Sequence, residues 1–316
     1  MYFAGIDIGG TNIKMGLVDK NGKVLVSNLF KTGAERGYSA VVNDILENLN
    51  LLCAKSDMQV SDLLGIGIGI PGVTDTKNGV VVSAANIGWH KIALAQDIEK
   101  KLGVKCVIGN DANCACLGEQ KFGSGKELQN IVFITLGTGI GSGIVIDGKL
   151  FCGVGGAGAE AGHMLLMFDG EQCNCGHKGC WERYASVTAL IKQTQVAIDQ
   201  NPTSILAKIA GEKDKINGKT VFDAAELGDP VADKVIANYL KYIAEGLISL
   251  ANLLHPEAFI IGGGISHEGD KIMRPVEKIL NTYLEKSGFL PHISVISASL
   301  GNTAGLIGAA ALVMEN

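Results

Sequence analysis

The chain has 316 residues, of which 19% are charged and 47% hydrophobic, and its formal net charge is −5. That length holds two domains with full cores, and that composition excludes a disordered chain. The absence of a basic block argues against nucleic acid as the main partner, and the longest uncharged runs, Ile131–Ile146 and Leu300–Met314, are too short and too rich in small residues to span a membrane.

Met1-Tyr2-Phe3 runs straight into a strand-like stretch, so no secretory leader is expected. Tyr2–Ile8, Ile13–Val18 and Val24–Phe30 read as three strands, the last two joined by the hairpin signal Asn21-Gly22. Helical periodicity covers Ser39–Leu52. A buried strand, Leu64–Ile70, ends at Pro71-Gly72. Ile92–Leu102 reads as helix and Val104–Ile108 as strand, and Asn110-Asp111 opens a helix through Phe122. Ile131–Leu136 and Gly143–Ile146 are strands around Gly137-Thr138-Gly139. Helices follow at Val187–Ala197, Ser204–Ala210, Val221–Glu226 and Pro230–Leu254. Strand Phe259–Ile261, helix Lys271–Lys286, strand Ile293–Ser297 and the small-residue helix Ala304–Met314 close the chain. The alternation indicates an α/β protein. At an offset of 128, Ile6 aligns with Ile134, Ile8 with Leu136, Gly9 with Gly137 and Asp19 with Asp147, which suggests two related lobes.

Forty-three glycines cluster at the ends of apolar runs. Asp7-Ile8-Gly9-Gly10-Thr11-Asn12-Ile13-Lys14 is a strand-end turn whose backbone N–H groups can cradle phosphate, with Asp7 suited to a hydrated Mg²⁺ and Lys14 to added positive charge. Gly137-Thr138-Gly139 and Gly262-Gly263-Gly264 offer two more such turns. Gly67-x-Gly69-x-x-Gly72 and Gly153-x-Gly155-x-x-Gly158 match the dinucleotide-binding string but lack its strand–turn–helix setting. Gly218-Lys219-Thr220 resembles the end of a P-loop, yet Lys213 stands where the first glycine belongs.

Of eight cysteines, Cys53, Cys106, Cys114, Cys116 and Cys152 read as small buried side chains. Cys173, Cys175 and Cys180 join His163 in a His-x9-Cys-x-Cys-x4-Cys spacing, with Gly176 and Gly179 for the bends. Three thiolates and one imidazole fill a tetrahedral zinc shell and leave no position for a catalytic water, so the expected metal is structural; the alternative is reduced free thiols. His177 reads as a solvated loop residue. Asp111 is either a helix N-cap or a general base at the mouth of a strand. Asn86, read alone, is a turn residue.

Taken together, D-I-G-G-T-N-I-K, N-I-G-W, N-D-A-N, L-G-T-G-I-G-S-G-I-V-I-D-G-K, G-A-E-A-G-H, C-N-C-G-H-K-G-C-W-E and I-I-G-G-G-I-S resemble the ROK family of sugar kinases over nearly the whole chain. The zinc segment is highly specific; the single glycine motifs are not. The resemblance implies a two-lobed actin-like ATPase/hexokinase (ribonuclease H-like) fold with a cleft between lobes, residues 1–112 plus 303–316 forming the smaller and 113–302 the larger. It implies ATP-dependent phosphorylation of a hexose at the 6-hydroxyl, with Mg²⁺ and a structural Zn²⁺. Asp7, Gly9, Gly10, Thr11 and Lys14 would form one phosphate loop and Gly137, Thr138 and Gly139 the other, while Gly262, Gly263 and Gly264 approach the adenosine. Asn86, Asn110, Asp111, Glu160, His163 and Glu182 would bind the sugar, with Asp111 as base. One departure is Ala161, where the family usually has a larger aliphatic residue.

Cys180–Ser186 is most similar to the bacterial glucokinases, which makes glucose the first expectation and a cytoplasmic homodimer acting in glycolysis its setting. The alternatives are N-acetylmannosamine, N-acetylglucosamine, mannose, fructose or allose. Family members that regulate transcription carry an added N-terminal DNA-binding segment. A phosphate loop starting at residue 7 and an acidic charge speak against that reading, and the metal loop with its glutamates speaks against an actin-like ATPase without a small substrate.

Overall fold

The computed structural model describes residues 1–211, 215–289 and 291–315. In chain order the first elements are β1 (Tyr2–Ile8), β2 (Asn12–Asp19), β3 (Val24–Lys31), α1 (Tyr38–Ala54), β4 (Ile66–Ile70), β5 (Val73–Asp75), β6 (Val80–Ala84), β7 (Trp89–Ile92), α2 (Leu94–Leu102), β8 (Cys106–Asn110) and α3 (Asp111–Phe122). The next are β9 (Ile131–Leu136), β10 (Ile140–Ile146), β11 (Lys149–Phe151), α4 (Glu182–Ala185), α5 (Val187–Gln200), α6 (Ile205–Ala210), α7 (Thr220–Glu226) and α8 (Pro230–Leu254). β12 (Ala258–Gly262), α9 (Asp270–Ser287), β13 (Ser294–Ser297) and α10 (Ala304–Met314) complete the chain. Among the described residues no helix is long and apolar enough to cross a membrane.

The two five-stranded sheets follow one plan. The first has the order β3-β2-β1-β4-β8 and the second β11-β10-β9-β12-β13. In the first, β1 pairs antiparallel with β2 and parallel with β4, which pairs parallel with β8. In the second, β12 and β13 are again parallel. Glycine turns thus follow equivalent strands, β1 and β9, as the offset of 128 residues suggests. A third, small sheet, β5-β6-β7, has no counterpart in the sequence reading, because its strands are three to five residues long and interrupted by turn residues.

Compact packing divides the chain into two units: residues 1–133, 143–159 and 298–316, and residues 134–142 and 160–297. The first therefore includes α3 whole, whereas the resemblance assigns residues from 113 onward to the larger lobe. The reason is the contact of α3 with α10: a Cβ on Gly308 would lie 1.6 Å from the Cys114 carbonyl oxygen. One face of β1 sends Ala4, Ile6 and Ile8 into a core with Val41, Val42, Ile45 and Leu49 of α1. Alternation turns Gly5 and Asp7 to the other face. There α10 lies directly on backbone, since a Cβ on Gly5 or Gly67 would come within 1.9 Å of Leu306 O or 1.7 Å of Ala309 O. The Gly67–Gly72 string is thereby explained by packing rather than by nucleotide.

In the second unit, Trp181 is fully buried against Gly246 of α8 and donates from Nε1 to Tyr242 O at 2.7 Å. Burying such a ring stabilises by roughly 2–3 kcal/mol and fixes α4, which begins one residue later. Asp229 caps α8 ahead of Pro230 at its first turn, and Ser186 caps α5. Of the P-loop-like string, Lys213 lies outside the described residues, and Lys219 is held by Asp223 one helical turn on.

Candidate active site

In the first unit the carboxyl ends of three adjacent parallel strands bring candidate residues together. Asp7 of β1 is in register with Gly69 of β4, and Ile70 of β4 with Asn110 of β8. Strand ends of this kind are where α/β sheets bind ligands. Asn110, not Asp111, caps α3: its Oδ1 accepts the Asn113 N–H at 3.0 Å. The N-cap alternative for Asp111 is thereby overturned, and its carboxylate is left for chemistry, holding the adjacent Ala112 N–H at 2.9 Å and a hydrogen bond from the Asn110 side chain. Asn110 also donates from Nδ2 to Gly72 O at 3.0 Å.

Burial and the neighbouring Asp111 carboxylate push the Asp7 carboxyl up to about 6, against the opposing pull of Lys14. Burial raises Asp111 as well, while hydrogen bonds from Ala112 and Asn110 oppose the rise. Two half-buried acids side by side, with raised proton affinity, suit a general base and a cation-binding partner. Lys14 lies opposite Asp7 in the β1–β2 register and gives one of its three hydrogens to Asn302 O at 2.8 Å.

The first glycine turn is tightly drawn. Gly9 N–H donates to Asn12 O at 2.9 Å, while Thr32 takes Thr11 O through its N–H at 3.0 Å and Gly9 O through its hydroxyl at 2.6 Å. Gly10 and Thr11 stand exposed at the tip. Asn86 is exposed on a 3-10 turn over Ala85–Ile87, and its Cβ is 3.8 Å from where a Cβ on Gly10 would be. It is a turn residue, as expected from sequence, and it also borders this site. Thr32, Asn302 and Gly305 were not legible. Gly305 is needed because a Cβ there would sit 2.4 Å from Asp7 Oδ2. No local spacing announces partners so far along the chain.

The second unit gathers the remaining candidates. Gly137 N–H donates to Gly139 O at 3.0 Å, Val187 N–H to Gly137 O at 2.9 Å, and the Thr188 hydroxyl to Thr138 O at 2.7 Å. Gly263, at φ +86°, lies against the end of β9, where any Cβ would be 2.2 Å from Leu136 O. The second and third glycine turns are therefore neighbours, and only glycine fits the join. Ser142 Oγ accepts the Ala161 N–H at 2.9 Å, anchoring the short turn that carries exposed Glu160 and His163.

Ligand atoms of His163, Cys173, Cys175 and Cys180 all lie within 4.8 Å of one another. Cys173 Sγ is 3.7 Å from His163 Nδ1, and Cys175 Sγ is 3.6 Å from Cys180 Sγ. Tetrahedral zinc with bonds of about 2.3 Å to sulfur and about 2.0 Å to nitrogen spaces its ligands by roughly 3.5–3.8 Å, so the donor set fits. Nδ1 faces the cluster, leaving Nε2 of His163 for another partner. Glu182 Oε2 accepts the Ile140 N–H at 2.9 Å, and Oε1 is 4.0 Å from Cys173 Sγ. Cys53, Cys106, Cys114 and Cys116 are buried, as expected; Cys152 is only half-buried.

The ROK family model matches residues 3–316. The chain is 40% identical over 315 residues to a glucokinase of Streptomyces coelicolor, covering 98% of this chain and 97% of that one. It is 30% identical over 320 residues to a xylose repressor of Bacillus spizizenii, covering all of this chain and 77% of that one. Among solved structures, a ROK family glucokinase from Streptomyces griseus, in complex with glucose and AMPPNP, superposes with a TM-score of 0.82 at 37% identity, with both chains fully covered.

Proposed function

Because this chain belongs to the ROK family, we propose that it transfers the γ-phosphoryl group of ATP to the 6-hydroxyl of glucose. The observation that carries this is the likeness, in sequence and fold over the full length, to a glucokinase solved with glucose and the ATP analogue AMPPNP. Identity to the Streptomyces coelicolor glucokinase, 40%, exceeds the 30% to the xylose repressor, which favours the enzyme over a sugar-sensing regulator.

In the proposed mechanism Asp111 accepts the proton of the 6-hydroxyl as that oxygen attacks phosphorus in line. Its freedom from capping and its raised proton affinity support the role, and such assistance contributes typically about 10²–10⁴-fold. Asn86, Asn110, Glu160, Glu182 and Nε2 of His163 hydrogen-bond the other hydroxyls. Gly9, Gly10, Thr11, Lys14 and Gly137–Gly139 hold phosphate oxygens, so that backbone N–H groups and one ammonium meet the charge that spreads in transfer. Gly262, Gly263 and Gly264 let the adenosine come close to backbone. Mg²⁺, oriented from Asp7, would neutralise phosphate charge. Zn²⁺ on His163, Cys173, Cys175 and Cys180 would be structural, fixing His163 and Glu182 for the sugar. A cytoplasmic homodimer is the proposed form, supported by the family resemblance.

Coupled ADP release over hexoses and N-acetylhexosamines tests the reading. Glucose should give the highest kcat/KM. A clear preference for an N-acetylhexosamine would replace glucose, and ADP release that no sugar raises would remove the kinase.

A further inference from the structure

A second cavity lies in the second unit, lined by none of the residues assigned to sugar, nucleotide or metal above. It encloses about 360 Å³ between α5, α8 and the zinc loop, the size of a small-ligand site. Its charged lining is Arg183, Lys192 and Lys234 against Glu171 alone. In a chain of net charge −5 this is a local excess of two positive charges. Glu171 is engaged with Lys192 at 2.5 Å. Arg183 has a buried Nε with no hydrogen-bond partner. Since that Nε is shut off from solvent, a ligand in the cavity would meet the terminal guanidinium nitrogens, a planar pair suited to a phosphate. Gln193 is fixed by its own bond to Tyr184 O at 2.8 Å, and Val196 and Val235 supply an apolar wall.

We propose that this cavity is an anion site that takes a phosphate group, with Arg183 and Lys234 as its principal donors. The geometry also gives it a route to the zinc loop. Tyr184, in the same wall, accepts the Glu171 N–H at 2.7 Å, and Arg183 directly follows Glu182, which is fixed to Ile140. The ligand is either a free phosphate or a phosphate monoester whose body rests on Val196 and Val235.

Calorimetric titration of the full chain with inorganic phosphate, and separately with glucose 6-phosphate, tests the proposal. At least one probe should bind saturably, and Arg183→Gln and Lys234→Gln should each weaken it by about tenfold or more, the scale of one lost charge-assisted contact. Because the proposed kinase site also takes phosphate and its own product, only binding that Arg183→Gln and Lys234→Gln weaken is assigned to this cavity; within it, tighter binding of the monoester identifies an organic phosphate and equal binding identifies free phosphate. Should Arg183→Gln fail to fold, Lys234→Gln, on an exposed position of α8, decides. No saturable binding of either probe, or an affinity that Lys234→Gln leaves unchanged, would overturn the proposal.

Discussion

Glu182 Oε2 accepts the backbone N–H of Ile140 at 2.9 Å, tying the residue that follows the zinc loop to the strand that leaves the second glycine turn. The same oxygen stands where a side chain on Gly139 would have to be, 2.2 Å from its Cβ. One carboxylate thus links the metal loop, through Oε1 near Cys173, with a phosphate-type turn. Glu182→Gln keeps an acceptor for Ile140 and should fold normally, with a raised KM for glucose. Glu182→Ala leaves that N–H unpaired and should lose about 1–3 kcal/mol of stability in addition. Thermal melts beside sugar titrations separate the two effects. Equal stability of both variants would count against the link.

Asp111→Asn should lower kcat by about 10²–10⁴ while changing glucose affinity little. Because burial raises the Asp111 carboxyl, kcat/KM should rise with pH through a value above the ordinary carboxylate range, and that limb should vanish in the variant. A pH–rate profile checks it. Near-normal turnover by Asp111→Asn would remove the base assignment.

Much of this site can be read from the sequence, and the part that cannot has a physical explanation. Glycine at a strand end and a tight Cys/His spacing are local patterns, so the three turns and the metal ligands are visible in order along the chain. The division of labour between Asn110 and Asp111 is not, because one residue of register decides which side chain caps α3. Thr32, Thr188 and Asn302 act on turns lying 21 to hundreds of residues away in sequence, where no spacing rule reaches. Gly5 and Gly67 resemble nucleotide-binding glycines, yet their absence of side chains serves the seating of α10. Arg183 is visible only as a neighbour of Glu182 until α5 and α8 enclose it.

Asp7 should cost the free protein stability at neutral pH. Its carboxyl rises from the ordinary 3.8 to about 6 on folding, so the folded state binds the proton more tightly than the unfolded chain. The associated stability is full below about pH 4 and is lost as pH rises toward 6, by up to about 3 kcal/mol. Asp7→Asn should therefore show a smaller loss across that window and melt higher than the parent at pH 7, while losing turnover. Parallel melts from pH 4 to 7 measure the difference; identical pH dependence in the two proteins would contradict it.

Elemental analysis should find about one zinc per chain, and Cys175→Ser or a strong chelator should remove it. Glucose affinity and melting temperature should fall, while nucleotide binding by the glycine turns should be less affected. Equal loss of sugar and nucleotide binding in a protein that remains folded would contradict a metal that serves the sugar side alone.

The most direct test follows the phosphorus itself. With ATP, Mg²⁺ and glucose, ³¹P and ¹³C NMR of the reaction mixture should show glucose 6-phosphate appearing in step with ADP, and no ADP when glucose is left out. Phosphate on another carbon, or ADP formed at the same rate without sugar, would contradict the account.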